Sequence, residues 1–139
     1  MKSNVSLLRR LGAITYDIFL AFSLAFFIIG VILIAFFEKE AQNNALIFII
    51  YLLTSYFYFA WSWVKGGQTL GMKAWKFHVQ QANGEHISHQ QALIRFVLSI
   101  VSFSALGLGF IYQLFDKQNL AFHDKFSNTQ LMRPLHKYE

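Results

Sequence analysis

The chain contains no cysteine, which excludes a disulfide framework, a thiolate metal site and a thiol nucleophile. Charge is also scarce: Asp, Glu, Lys and Arg make up 14% of the 139 residues, too little to cover a soluble domain of this length. The first apolar run is too long for a signal-peptide core and has no convincing small-residue cleavage site after it, so a retained helix is expected. Apolar bulk takes the place of charge: 55% of the chain is hydrophobic and 16 residues are Phe. The net charge is +5, but the basic residues flank apolar runs instead of clustering. That distribution suits a cytoplasmic membrane surface and argues against nucleic acid. These features describe a membrane protein.

Two runs are long enough to cross a bilayer, which needs about 20 helical residues. The first, within about residues 9–37, holds 27 residues from Leu11 to Phe37 with Asp17 as its sole charge. The polar stretch Glu38–Asn44 makes a short loop, and a second, uncharged run follows over about residues 45–64. It ends among Tyr56, Tyr58, Trp61 and Trp63, residues suited to the membrane interface. Lys2, Arg9 and Arg10 precede the first run, Lys65, Lys73 and Lys76 follow the second, and the loop between them holds only Lys39. Positive-inside counting therefore expects a cytoplasmic N-terminus.

The segment at about residues 66–91 is polar and partly alternating. Trp75, Phe77 and Val79 fall on one side of a period-two pattern, with Lys76, His78 and Gln80 on the other. Asn83-Gly84 is a strong hairpin signal, so a small cytoplasmic β-hairpin is expected, with a type I′ tip and a return arm at about His86–Ser88. The third hydrophobic region, about residues 92–115, contains Gly107 and Gly109, and each glycine weakens a helix by about 1 kcal/mol. A full third crossing would also carry Lys117, Lys125, Arg133 and Lys137 to the outside. Two short helices meeting near Ser104–Gly107 keep this tail, residues 116–139, in the cytoplasm. Such a break needs cover from protein or water at depth. The fold class is thus an all-α integral membrane protein, with two full transmembrane helices, a broken or third hydrophobic helix, and the small hairpin.

Four motifs in order resemble the RDD family, named for one arginine and two aspartates. "RRLGAITYD" supplies Arg10 and Asp17, and "GGQTLG" resembles the family's glycine-rich turn. "HQQALIR" supplies Arg95, and the block "LGLGFIYQLFDKQNLAFHDKFSNTQLM" contains His123 and Asp124. The resemblance runs from about Leu7 to Met132, and implies a single RDD domain over residues 1–139. Phe122 stands where Trp or Leu is common, and "FSNT" replaces the usual "LAGT"; neither touches the named residues. The resemblance implies transport, with sodium–proton exchange as its form in some members, and a multi-pass protein of the bacterial inner membrane. Two or three spans enclose little volume alone, so a homo-oligomer is expected, with the lipid bilayer and monovalent cations or protons as partners.

Arg10 and Asp17 are seven residues apart, so they share a helix face about 10 Å apart along the axis. Gly12, Ala13 and Ala21 are small residues that let a neighbour approach Asp17. An intramembrane acid should face the bundle interior with a partner. The expectation is one polar cluster of Arg10, Asp17, Arg95, His123 and Asp124, with Asp17 closest to Arg95 and Arg10 turning to Asp124. Three roles remain open for Asp17: a structural Asp–Arg lock, an ion- or proton-binding carboxylate, and contact with lipid headgroups or a partner protein. A non-transporting scaffold, assembly factor or lipid-interacting module is the alternative to transport. His123-Asp124 has no metal-ligand spacing beside it, His78, His86 and His89 read as solvated, and "GGQTLG" reads as a turn and not a nucleotide loop. Ser127 and Thr129 have only proximity to His123 to suggest nucleophilic chemistry. No cofactor, metal or enzymatic activity is expected.

Overall fold

The computed structural model describes residues 4–36, 44–105 and 107–133. Helix α1, Leu7–Phe36, and helix α2, Asn44–Gly66, are both long and apolar enough to cross a membrane. The expected loop at Glu38–Asn44 lies outside the described residues, except Asn44, which opens α2. The buried face of α1 is Arg10, Ala13, Asp17, Ala21 and Ala25, a stripe at three- and four-residue spacing. Its aliphatic members are all alanine, so neighbouring backbone can come close, while Phe19, Phe22, Phe26 and Phe27 face outward. This inversion suits a helix solvated by lipid, where small residues go inside and bulky ones meet acyl chains.

After α2 the chain makes a short helix α3, Leu70–Ala74, and a strand β1, His78–Gln81. Helix α4 spans His89–Ser104, and α5 spans Leu108–Phe115. The short helix α6, Phe122–Phe126, leads into strand β2, Thr129–Met132. Ser88 starts α4 with a reciprocal capping box: its hydroxyl accepts from Gln91 N, and its own N–H donates to the Gln91 side chain. The third hydrophobic region is broken, since α4 and α5 meet at 98°. Gly107 sits at the break with φ +76°, a left-handed conformation that strains any residue with a Cβ. Gly109 has a different role, because a Cβ there would run into the Ser102 side chain of α4. The glycines thus turn the chain and let α5 fold back.

A two-stranded antiparallel sheet is present, but its second strand is not the one expected. β1 pairs with β2 in the register His78–Met132 through Gln81–Thr129, so its partner comes from the tail. The chain does reverse at Asn83-Gly84, where Gly84 N donates to Gln81 O (3.0 Å) and Gln81 N to Glu85 O (2.9 Å). The return arm at His86–Ser88 makes no ladder because Ser88 already caps α4. The tip is not type I′ either. That turn needs positive φ at both central residues, whereas the central residues here, Ala82 and Asn83, are not in the positive region, and Gly84, at φ +88°, follows them. Asn83 Oδ1 instead accepts from Glu85 N at 3.0 Å, a local turn.

The alternation at Trp75, Phe77 and Val79 also breaks. Phe77 and Val79 are buried, but Trp75 is 41% exposed and caps α3. Lys76 has φ +58°, which rotates the chain between Trp75 and Phe77 and ends the period-two pattern. Trp75 lies against Gly12 of α1, where an added Cβ would meet its ring. The core at this end joins Val5, Trp63, Met72, Phe77, Val79, Ile87, Ala92, Phe96 and Leu131. It ties the sheet to the starts of α1 and α4 and the end of α2.

Candidate functional site

The expected polar cluster separates into two buried centres. The first is built on Asp124 in α6. Arg10 Nη1 from α1 donates to its Oδ2 at 2.5 Å, and Arg95 Nη1 from α4 donates to its Oδ1. Arg95 Nη1 also reaches the Thr129 hydroxyl at 3.0 Å, and the Ala121 amide donates to Asp124 Oδ2 at 3.3 Å. Both arginine side chains are 2% exposed and Asp124 is fully buried. One carboxylate therefore fastens α1, α4 and α6 at one end of the bundle.

Burial alone would raise the Asp124 carboxyl, but the two guanidiniums outweigh it and hold the group below the usual carboxylate range. His123 lies beside it, with Nε2 3.7 Å from Asp124 Oδ1 and its ring edge-on to Phe110. Burial pushes this imidazole down to about 3; Asp124 opposes the shift, and Arg95 and Arg10 reinforce it. His123 is thus neutral at physiological pH. Two guanidiniums and one carboxylate leave the centre with a net charge of +1.

The second centre is built on Asp17, and neither arginine takes part in its bonding. Its Oδ1 accepts from the Tyr58 hydroxyl of α2 and from Gly71 N, both at 2.9 Å. Its Oδ2 accepts from the Thr69 hydroxyl at 2.5 Å. That hydroxyl in turn accepts from Met72 N (3.1 Å), so Thr69 caps α3 while holding Asp17. The expected pairing of Asp17 with Arg95 is therefore replaced by three neutral donors. Arg95 is committed to Asp124 instead, and its guanidinium also lies over the Trp63 ring, 5.1 Å from the centroid.

Tyr58, Thr69 and Gly71 are the partners of Asp17 that sequence reasoning missed. Two of them lie in the "GGQTLG" turn, where a threonine one residue before a short helix was the available signal. Gly71 accounts for Ala13 among the small residues around Asp17, since α3 makes its close approach to α1 there. A Cβ on Gly71 would lie 2.8 Å from the Asp17 carboxyl carbon and closer still to the Ala13 carbonyl. Gly71→Ala is expected to cost about 1–3 kcal/mol by overpacking. Gly30→Ala, inside α1 with nothing within 4 Å of the added atom, is the control and should stabilise by up to about 1 kcal/mol. Thermal unfolding of the two variants in detergent separates them.

Arg10, Asp17, Arg95 and His123 all line one cavity of about 370 Å³ between α1, α2 and α4, whose walls are mostly apolar. The fold and its two centres define a helical membrane protein whose elements are clasped by buried carboxylates. A model of the RDD family matches residues 5–128, and the chain belongs to that family. No curated protein and no solved structure matches it.

Proposed function

We propose that the protein is a membrane transporter that exchanges a monovalent cation for protons, with Asp17 as the exchanging carboxylate. The observation that carries this reading is the division between the two acids. Asp124 is saturated by two arginines, whereas Asp17 is buried in α1 with only neutral donors around it. A carboxylate with no fixed cation can take up a mobile one, and intramembrane acids mark ion and proton paths. The Thr69 and Tyr58 hydroxyls are polar groups beside that path. Flux by the purified protein in liposomes tests the reading with Na⁺, K⁺ and H⁺ gradients. Exchange is expected in the wild type and lost in Asp17→Asn; no exchange, or unaltered exchange in the variant, sinks it.

The alternative, a non-transporting scaffold or lipid-interacting module, draws on the apolar cavity walls and on the way Asp17 joins α1, α2 and α3. In the transport reading the chain acts as a homo-oligomer in the bacterial inner membrane. Both termini lie in the cytoplasm, because the positive charges gather at the ends of the apolar helices. The ion pairs of Asp124 with Arg10 and Arg95 support this orientation, since they hold the chain after α5 beside the start of α1. Single cysteines introduced at Ser3 and Lys137 are expected to label only from the cytoplasmic side. Labelling of the second site from outside would mean a full third crossing.

A further inference from the structure

We propose that the cavity binds a single-chain carboxylate amphiphile, a long-chain fatty acid, with its head on Arg10 and Arg95 and its alkyl chain along the groove beneath. This goes beyond ion exchange at Asp17 and does not depend on it. Each arginine uses Nη1 on Asp124, so part of its donor set is left over. Arg10 Nε and Nη2 and Arg95 Nε are buried with no hydrogen-bond partner among the described residues. Trp63 Nε1 and Ser55 Oγ, from α2, are in the same condition, and all four of these residues line the same cavity. Buried donors in folded proteins are nearly always partnered, so several of them around one apolar space point to an acceptor that enters it.

The geometry selects the acceptor. Nε and Nη2 of Arg10 form one edge of its guanidinium, the edge that takes a carboxylate or a phosphate through two parallel bonds, and the charge of the centre chooses between them. The arginine centre carries a net charge of +1, which one monoanion neutralises. Away from that end the walls turn apolar, with Ala21, Phe48, Leu52, Ile100 and Phe103 among them. From Arg10 to Ala21 the groove runs about 16 Å by helical rise. A volume of about 370 Å³ lies at the small end of ligand sites and suits one chain, not the two of a phospholipid. Asp17 also borders the groove, but a carboxylate offers no hydrogen-bond donor to a second carboxylate, which leaves the head to the arginines.

The test uses the full chain in zwitterionic nanodiscs, with Trp61→Phe and Trp75→Phe so that Trp63 alone reports. Dibromostearate is expected to quench Trp63 saturably, and its methyl ester to bind at least tenfold more weakly. Palmitate should displace the brominated acid, and palmitoyl lysophosphatidate should displace it poorly. Arg10→Lys keeps a charge for Asp124 but removes the two-nitrogen edge, so it should weaken the acid at least tenfold and leave the ester unchanged. Ser104→Leu, which places bulk in the groove nine residues along α4 from Arg95, should weaken the acid while the protein stays folded; this variant and the acid–ester comparison decide the matter even if Arg10→Lys does not fold. Equal binding of acid and ester, tighter binding of lysophosphatidate, or quenching that never saturates overturns the proposal.

Discussion

Asp124→Asn is expected to be among the most damaging single substitutions in this chain, costing about 3–5 kcal/mol of stability. The carboxylate is fully buried and is the counter-ion to two buried guanidiniums. An amide keeps the shape but leaves a net charge of +2 where there was +1. Uncompensated charge in the interior, and not the lost hydrogen bonds, dominates the cost. The double change Asp124→Asn with Arg95→Gln returns the centre to +1, so it should cost less than the sum of the two single changes. Asp17→Asn should be milder. Its partners are three neutral donors, so the loss is one mismatched amide N–H, about 1–3 kcal/mol. Folded yield and denaturation in detergent across the four variants measure the coupling. Strict additivity of Asp124 and Arg95 would mean that the two are energetically independent despite their contact.

This arrangement was legible in the sequence only where charge is scarce enough to leave few choices. With Arg10 and Arg95 opening two apolar runs, and Asp124 near the end of the third block, a meeting at one end of the bundle follows from depth alone. The two long helices were legible for the same reason, because a run of more than 20 apolar residues has few other uses. Asp17 was harder. Its partners are a tyrosine in an aromatic belt and a threonine and an amide in a turn, and neutral donors carry no charge signature along the chain. The strand partner of β1 was not legible either. Four residues of alternation mark a strand but not what it pairs with, and β2 lies beyond α4, α5 and α6. The Trp75–Val79 alternation failed at one residue, Lys76, whose left-handed backbone has no marker in a lysine side chain.

Acid is expected to unfold the protein through His123 before Asp124 loses its charge. The imidazole is fully buried and its pKa falls to about 3 in the folded chain against 6.5 in the unfolded one. Between those values the unfolded state binds a proton that the folded state does not, so stability rises with pH across the window. It is complete above about pH 6.5 and is lost as the pH falls, by up to about 1.4 kcal/mol per pH unit. Asp124 acts in the same direction but lower down. Its folded pKa is depressed, so the stability it contributes is present above 3.8 and is lost only as the pH falls further. The groups facing His123 from other elements, Arg10 on α1 and Arg95 on α4, are cations that deepen its depression and do not titrate in this range. His123→Gln removes the titration while leaving Asp124 and both arginines in place. Its melting temperature in detergent should therefore change little between pH 6.5 and 4.5, while that of the wild type falls steeply. Parallel curves for the two proteins would mean that the buried imidazole accepts its proton without unfolding the chain.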